Sequence, residues 1–414
     1  MRLFTFLTAG LLLTAGLSYA QQQPLKVLFD ATRAEMANNA DWVIDADLHN
    51  LGVGSNGAMT TGAGSDSNPQ RFPNPAQSGI TANTPETYWQ GAISSWGVAL
   101  VKRGFQVETL PYNARLTYGD ASNVQDLSNY QVYIVDEPNI RFSTAEKAAL
   151  LNYVRNGGGL LMISDHDNSD RNGDGWDSPE IWNDLMQPTA GAPSVFGFTF
   201  DLNNLVVNTT NVAALPTDSL LHGPAGHVAA MEYHNGATMT LNPTANPSVR
   251  GIIYKPGVAA GGTTGAFMAY ARYGKGKVVA LGDSSPADDG TGDPGDSLYN
   301  GWSAEANGDH ARVLLNATIW LSIPKRTTLA TRNAAQAGIR LYPNPATDRL
   351  HLSSPTKPAQ VRWVNSLGQA VAVAPVAETS GELVYDLTAL PAGLYLAHIT
   401  LADGQVVSQR VERR

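Results

Sequence analysis

The chain has 414 residues, 43% hydrophobic and 15% charged, with 40 Gly and 24 Pro, a composition that excludes disorder, coiled coil and collagen and describes a loop-rich globular protein. It has no Cys, which removes disulfide scaffolds, thiolate zinc sites and cysteine nucleophiles. Residues 21–323 carry 16 bases against 30 acids, so this part repels bare nucleic acid and anionic lipid unless a cation intervenes.

Residues 1–20 read as a secretory signal. Arg2 is the positive start, Leu3 to Leu17 are apolar, and Ser18-Tyr19-Ala20 offer small residues at the cleavage site. The apolar run is short for a membrane span, and no other transmembrane segment is found in the sequence. Residues 21–323 then alternate strand and helix patterns. Lys26–Phe29 is a buried-type strand, Trp89–Arg103 has helical spacing, and Phe105–Leu110 is strand-like. Val132–Val135 follows, then a helix over Thr144–Arg155 capped by Ser143, and a strand over Gly159–Ser164. Residues 190–280 are richer in strand and loop and end in Gly276–Gly282, before a last helix over His310–Leu321. Leu51–Asn83 reads as a long loop. Gly52-Val53-Gly54-Ser55-Asn56-Gly57 within it matches a dinucleotide-binding string but has no flanking strand and helix, so it too reads as loop. The alternation predicts an α/β fold, a mostly parallel sheet flanked by helices.

Residues 324–340 lack an apolar period and read as a linker. Beyond it, Val361–Val364, Leu383–Leu387, Leu394–Ile399 and Gln405–Val407 alternate with turn signals, which predicts a small all-β sandwich over 341–414. Leu341-Tyr342-Pro343-Asn344-Pro345-Ala346, Asn365-Ser366-Leu367-Gly368-Gln369 and Leu390-Pro391-Ala392-Gly393-Leu394-Tyr395 occur there in order. In these motifs the segment resembles the type A C-terminal sorting domain of the type IX secretion system. That resemblance implies handling by the type IX secretion machinery and a secreted or outer-membrane-surface location. The strand and helix order of 21–323, with Gly157-Gly158-Gly159 and the late Gly274-Lys275-Gly276-Lys277-Val278-Val279-Ala280-Leu281-Gly282-Asp283, resembles the class I glutamine-amidotransferase-like, flavodoxin-like fold. The catalytic Cys of that family has no counterpart here, so the resemblance does not extend to glutaminase activity.

In open parallel sheets ligands bind beyond the carboxyl ends of the strands. Those ends hold Asp30, Asp136-Glu137, Asp165-His166-Asp167 and Asp283-Ser284-Ser285. Carboxylates gathered at one edge repel unless protonated or bridged, which points to a divalent cation. Asp165 to Asp184 holds seven acids and one base. Within it Asp170, Asn172 and Asp174 repeat the first half of a calcium loop, to be closed by Asp177 or Glu180 because position twelve is Ile181. The expected cofactor is therefore Ca2+ or another divalent cation, with Asp165 and Asp167 as further ligands. His166 is the candidate proton carrier, ahead of His222, His227, His234 and His310. Gly282-Asp283-Ser284 resembles the Gly-Asp-Ser of lipase-like esterases, which makes Asp283 and Ser284 catalytic candidates. Two readings stay open. One is a metal-assisted hydrolase of an extracellular ester, phosphoester or glycan. The other is a non-catalytic surface binding module with structural calcium, contacting its ligand through Trp89, Trp96, Trp176, Trp182 or Trp302.

Overall fold

The computed structural model describes residues 24–35, 41–44, 52–53, 59–60, 77–187, 189, 191–292, 298–304, 306–323, 338–355, 357–365, 370–379, 382–401 and 406–414. The signal segment, most of the linker, most of the loop after Leu51 and the motif residues 366–369 lie outside them. The chain divides into two compact units, residues 1–324 and 325–414.

In the large unit, Lys26–Asp30 (β1), Gln106–Leu110 (β2), Val132–Asp136 (β3) and Gly159–Ile163 (β4) are parallel strands. A second group consists of Phe198–Phe200 (β5), Leu205–Thr209 (β6), Met231–Gly236 (β7), Met239–Leu241 (β8), Arg250–Tyr254 (β9), Ala266–Tyr273 (β10) and Gly276–Leu281 (β11). The main sheet runs β2-β1-β3-β4-β11-β10-β8-β5, with β9 also paired to β10. β11 joins β4 in parallel, and from β10 onward the pairing is antiparallel. β6 and β7 form a separate two-stranded ribbon. The sheet is therefore mixed, parallel in its first five strands and extended by antiparallel ones.

Among the described residues, four α-helices flank it: Ser94–Val101 (α1), Thr144–Asn156 (α2), Ser178–Met186 (α3) and His310–Ser322 (α4). Alternation along the strands sorts their side chains between two cores. Val27, Phe29, Val132, Ile134, Leu161, Ile163, Val279 and Leu281 pack with Trp96 of α1 and with Val313, Leu314 and Leu321 of α4. Leu28, Tyr133, Val135, Leu160, Met162, Val278 and Ala280 pack with Leu150 and Val154 of α2 and with Ile181, Trp182 and Leu185 of α3. α2 starts where the Ser143 cap predicts, with a reciprocal Ser143 and Glu146 capping box. α1 is shorter than its apolar spacing predicts, because Gly91 adopts φ 119° and the chain enters the helix only after Ile93. Trp89, Trp96, Trp182 and Trp302 are buried core residues, which removes them as ligand contacts.

The small unit is a two-sheet sandwich. Arg340–Tyr342, Arg349–Ser353, Gln360–Asn365, Ala370–Val371, Pro375–Thr379, Glu382–Asp386, Gly393–Thr400 and Val406–Arg413 (β12 to β19) form the four-stranded sheets β12-β13-β17-β16 and β15-β14-β18-β19. Their inward residues, among them Leu350, Leu352, Trp363, Tyr385, Ala397, Ile399, Val407 and Val411, make one core. Among the described residues, no helix is long and apolar enough to cross a membrane.

Candidate functional site

The parallel register places the carboxyl ends of β3, β4 and β11 side by side, with Asp136 opposite Ile163 and Ile163 opposite Leu281. The segments leaving these strands meet there. Asp165, His166 and Ser284 line one cavity of about 140 Å3 together with Trp42, Arg171, His234, Asn235, Ser285 and Tyr299. The ribbon strand β7 crosses the end of β11 closely enough that a Cβ on Gly282 would lie 1.9 Å from the Ala237 carbonyl oxygen. Gly282 thus permits the approach that brings His234 and Asn235 to the cavity.

Glu137 is the buried pivot of the site. It follows β3 with φ 45°, a left-handed conformation that costs a non-glycine residue about 1 kcal/mol or more. The strained turn aims its fully buried carboxylate at Arg171 and Ser284. Arg171 Nε donates to Glu137 Oε1, and Ser284 Oγ donates to Glu137 Oε2 at 2.9 Å. The same guanidinium reaches Asp165 Oδ2 at 3.8 Å and lies over the Trp42 ring at 4.5 Å. One half-buried cation therefore serves two buried carboxyl groups. The second of them is not neutralised by it: burial, then the charges of Glu137 and Asp283, push the Asp165 carboxyl well above the usual carboxylate range, with Arg171 opposing.

His166 Nε2 stands 3.7 Å from Asp165 Oδ2. Its Nδ1 is 2.6 Å from the Asp167 carbonyl oxygen. A carbonyl only accepts, so Nδ1 carries the hydrogen and Nε2 presents its lone pair toward Asp165. The Asn204 amide nitrogen lies 3.0 Å from the same Nδ1, a contact that turning the amide over would convert into a second acceptor for that hydrogen. On the far side of the cavity the His234 ring stacks on Tyr299 at 4.5 Å.

The other expected site residues are placed differently. Asp283 is fully buried and accepts the backbone N–H groups of His234 and Ser285, so it holds the loop, and burial pushes its carboxyl up to about 6. Asp136, 2% exposed, finds no hydrogen-bond partner for either oxygen among the described residues. Burial, then Glu137, Asp288 and Asp283, push its carboxyl well up. Asp30 alternates to the opposite sheet face, where it meets Thr32 and Arg33. His310 is buried at the start of α4, with Nε2 accepting from the Glu232 N–H and Nδ1 donating to the Gly301 carbonyl.

The acid-rich loop turns its oxygens on its own backbone. Asp170 accepts the N–H groups of Gly173, Asp174 and Gly175. Asp174 accepts from Trp176 N–H and from the Asn172 amide. Asp177 accepts from Asn168 and Ser169, and Glu180 accepts the Asp177 N–H at the start of α3. Asp167 contributes its carbonyl to His166. Among the described residues, no group of three or more His, Asp or Glu is arranged to hold a metal ion.

The chain thus joins an α/β unit with a polar pocket to a C-terminal β-sandwich. Residues 340–411 match the family model of the secretion system C-terminal sorting domain. This confirms the expected sorting tail and makes the chain an exported cargo of the type IX machinery, secreted or held at the outer-membrane surface. No curated protein matches the chain. Among solved structures it is similar to the mmIFT52 N-terminal domain, with 15% identity, TM-score 0.38, and 56% of this chain and 91% of that one covered. It is also similar to a cytoplasmic protein from Salmonella typhimurium, with 10% identity, TM-score 0.39, and 72% and 98% covered. A β-galactosidase from Rahnella sp. R3 follows with 13% identity, TM-score 0.32, and 77% and 37% covered. Likeness of this degree fixes neither the fold family nor a function.

Proposed function

We propose that the large unit is an extracellular hydrolase of the amidotransferase-like, flavodoxin-like kind, working by acid and base catalysis at the Asp165 and His166 pocket. The observation that carries this reading is the opposite treatment of two carboxyl groups by one environment. Glu137 is saturated by donors from Arg171 and Ser284, whereas burial favours the protonated form of Asp165. The Asp165 carboxyl thus stands as an acid beside the ion pair of Arg171 with Glu137. Asp165 is the proton donor to the leaving group, and the His166 Nε2 lone pair activates water. Arg171 orients a substrate oxygen, and Ser284, whose hydrogen goes to Glu137, accepts from a substrate hydroxyl. The parallel order β2-β1-β3-β4-β11 supports the fold reading, since such sheets bind ligands at their carboxyl edge.

The cavity, about 140 Å3, is small beside the roughly 300–1,000 Å3 of sites that engulf a drug-sized ligand. It therefore takes one end of an ester, phosphoester or glycan. The test is turnover by the purified full chain on chromogenic esters, phosphodiesters and glycosides. Asp165→Asn and His166→Ala should each abolish hydrolysis while leaving the melting temperature within a few degrees of wild type. Turnover unaffected by both substitutions would overturn the assignment. A binding module is the second reading, favoured by the two stacks, Arg171 on Trp42 and His234 on Tyr299, that wall the cavity.

A further inference from the structure

His222 and His227 face each other across a two-residue hairpin, with Gly226 opposite Gly223 and His227 opposite His222. Both side chains are exposed. Their rings stack at 4.6 Å with planes 8° apart, and their Nδ1 atoms stand 3.1 Å from each other. We infer that this pair is a binding site for a borderline divalent transition metal ion such as Zn2+, separate from the cavity at the sheet edge.

Three observations support the inference. At a Zn–N distance of about 2.0–2.1 Å, two imidazole nitrogens subtending about 90–110° at the metal lie about 2.9–3.4 Å apart. The observed spacing falls in that interval. The rings lie parallel, so each must turn out of the stack about its soft terminal torsion before the two in-plane lone pairs meet at one ion.

The hairpin backbone is also held rigidly, so the two side chains spring from fixed, facing positions. Asn316 of α4, fully buried, accepts the Ala225 N–H at 2.8 Å and donates to the Leu220 and Gly226 carbonyls at 2.9 and 3.0 Å. A Cβ on Gly223 would lie 2.4 Å from its Oδ1. One amide thus fixes both ends of the turn to the core.

The charges around the pair are balanced rather than cationic. Arg312, which donates to the His227 carbonyl at 3.3 Å, is ion-paired with Asp309. Asp218, just before the hairpin, accepts from the Leu220 and Leu221 N–H groups and from Tyr270. Binding requires a lone pair on both Nδ1 atoms, so a ring that donates from Nδ1, as His227 can to the Leu221 carbonyl at 3.3 Å, shifts to its Nε2–H tautomer. Two protein donors leave the remaining coordination positions to water or to a group on another molecule.

Calorimetric titration of the untagged full chain with zinc chloride tests this, using wild type, His222→Ala, His227→Ala and, as a control, His166→Ala. Wild type and His166→Ala should bind one ion per chain in the tightest class. Each hairpin variant should bind it about tenfold or more weakly, because the chelate is lost with either ring. Wild-type affinity in both hairpin variants would overturn the inference. So would loss confined to His166→Ala, which would move the ion to the sheet-edge cavity. Circular dichroism of the two hairpin variants, whose substitutions are at exposed positions, checks that they fold.

Discussion

Replacing Asp136 by Asn, which keeps its shape and removes its charge, should stabilise the large unit at neutral pH. The carboxyl is 2% exposed, and neither oxygen has a hydrogen-bond partner among the described residues. Burial, with Glu137, Asp288 and Asp283 adding to it, holds its pKa in the folded chain well above the unfolded value of about 3.9. Above a pH of about 4 the unfolded chain has therefore lost a proton that the folded chain keeps. Stability falls by about 1.4 kcal/mol per pH unit until the folded group ionises as well. Asn has no such proton. Its advantage should be near zero at a pH of about 4 and grow with that slope until the folded carboxyl ionises, which bounds it at about 4 kcal/mol at neutral pH. Urea unfolding of wild type and D136N across this pH range measures the difference directly. Asp283 and Asp288, pushed up to about 6 and about 7, titrate in both proteins, so their contribution largely drops out of it. A variant less stable than wild type at neutral pH, or a difference flat in pH, would refute the reasoning. Either result would mean that Asp136 is ionised and held by a counter-charge such as a bound cation.

Arg171→Ala should cost about 3–5 kcal/mol, because it leaves the Glu137 carboxylate buried with its cation removed; denaturant midpoints within error of wild type would contradict the pairing. The carboxylates of Asp170 and Asp177 already accept backbone N–H groups. Thermal melting in millimolar calcium and in chelator should therefore give midpoints within a degree or two, and a large rise with calcium would restore the calcium-loop reading of this segment. Removing residues 341–414 deletes most of the matched sorting domain, so the truncated cargo should collect in the periplasm; normal surface or extracellular recovery by fractionation would contradict its role.

Much of this architecture can be read from the chain because it is local. The Ser143 cap, the apolar strand cores and the acids that follow β3, β4 and β11 are each set by a few neighbouring residues. What is not local is harder to see. Asp30 belongs to the same series of strand ends, yet the two-residue alternation of β1 turns it to the face of Leu28 and Tyr133. Trp42, His234 and Tyr299 reach the cavity from segments far apart in sequence, with no spacing to announce them. Arg171 did leave a trace. It is the one base in an acid-rich segment, yet its partners are Glu137 and Asp165 rather than the acids of the calcium-loop pattern around it, which no local spacing shows. In the small unit Arg349–Ser353 and Pro375–Thr379 lie outside the predicted strands. The second presents an entirely exposed face, without the alternation that marks a strand.

The way α3 begins ties the candidate site to the cooperativity of the whole unit. Asp177 caps that helix and, with the same carboxylate, holds the N–H groups of Asn168 and Ser169 at 2.7 and 2.8 Å. The loop bearing Asp165, His166 and Arg171 is thus strung between β4 and the first turn of α3, whose Ile181, Trp182 and Leu185 are fully buried. Fraying that turn would slacken the loop, and the turn cannot fray without exposing core. Amide hydrogens at 168 and 169 should therefore exchange with solvent only in openings that also unseat α3, and the geometry of the pocket should persist unchanged until the fold itself gives way.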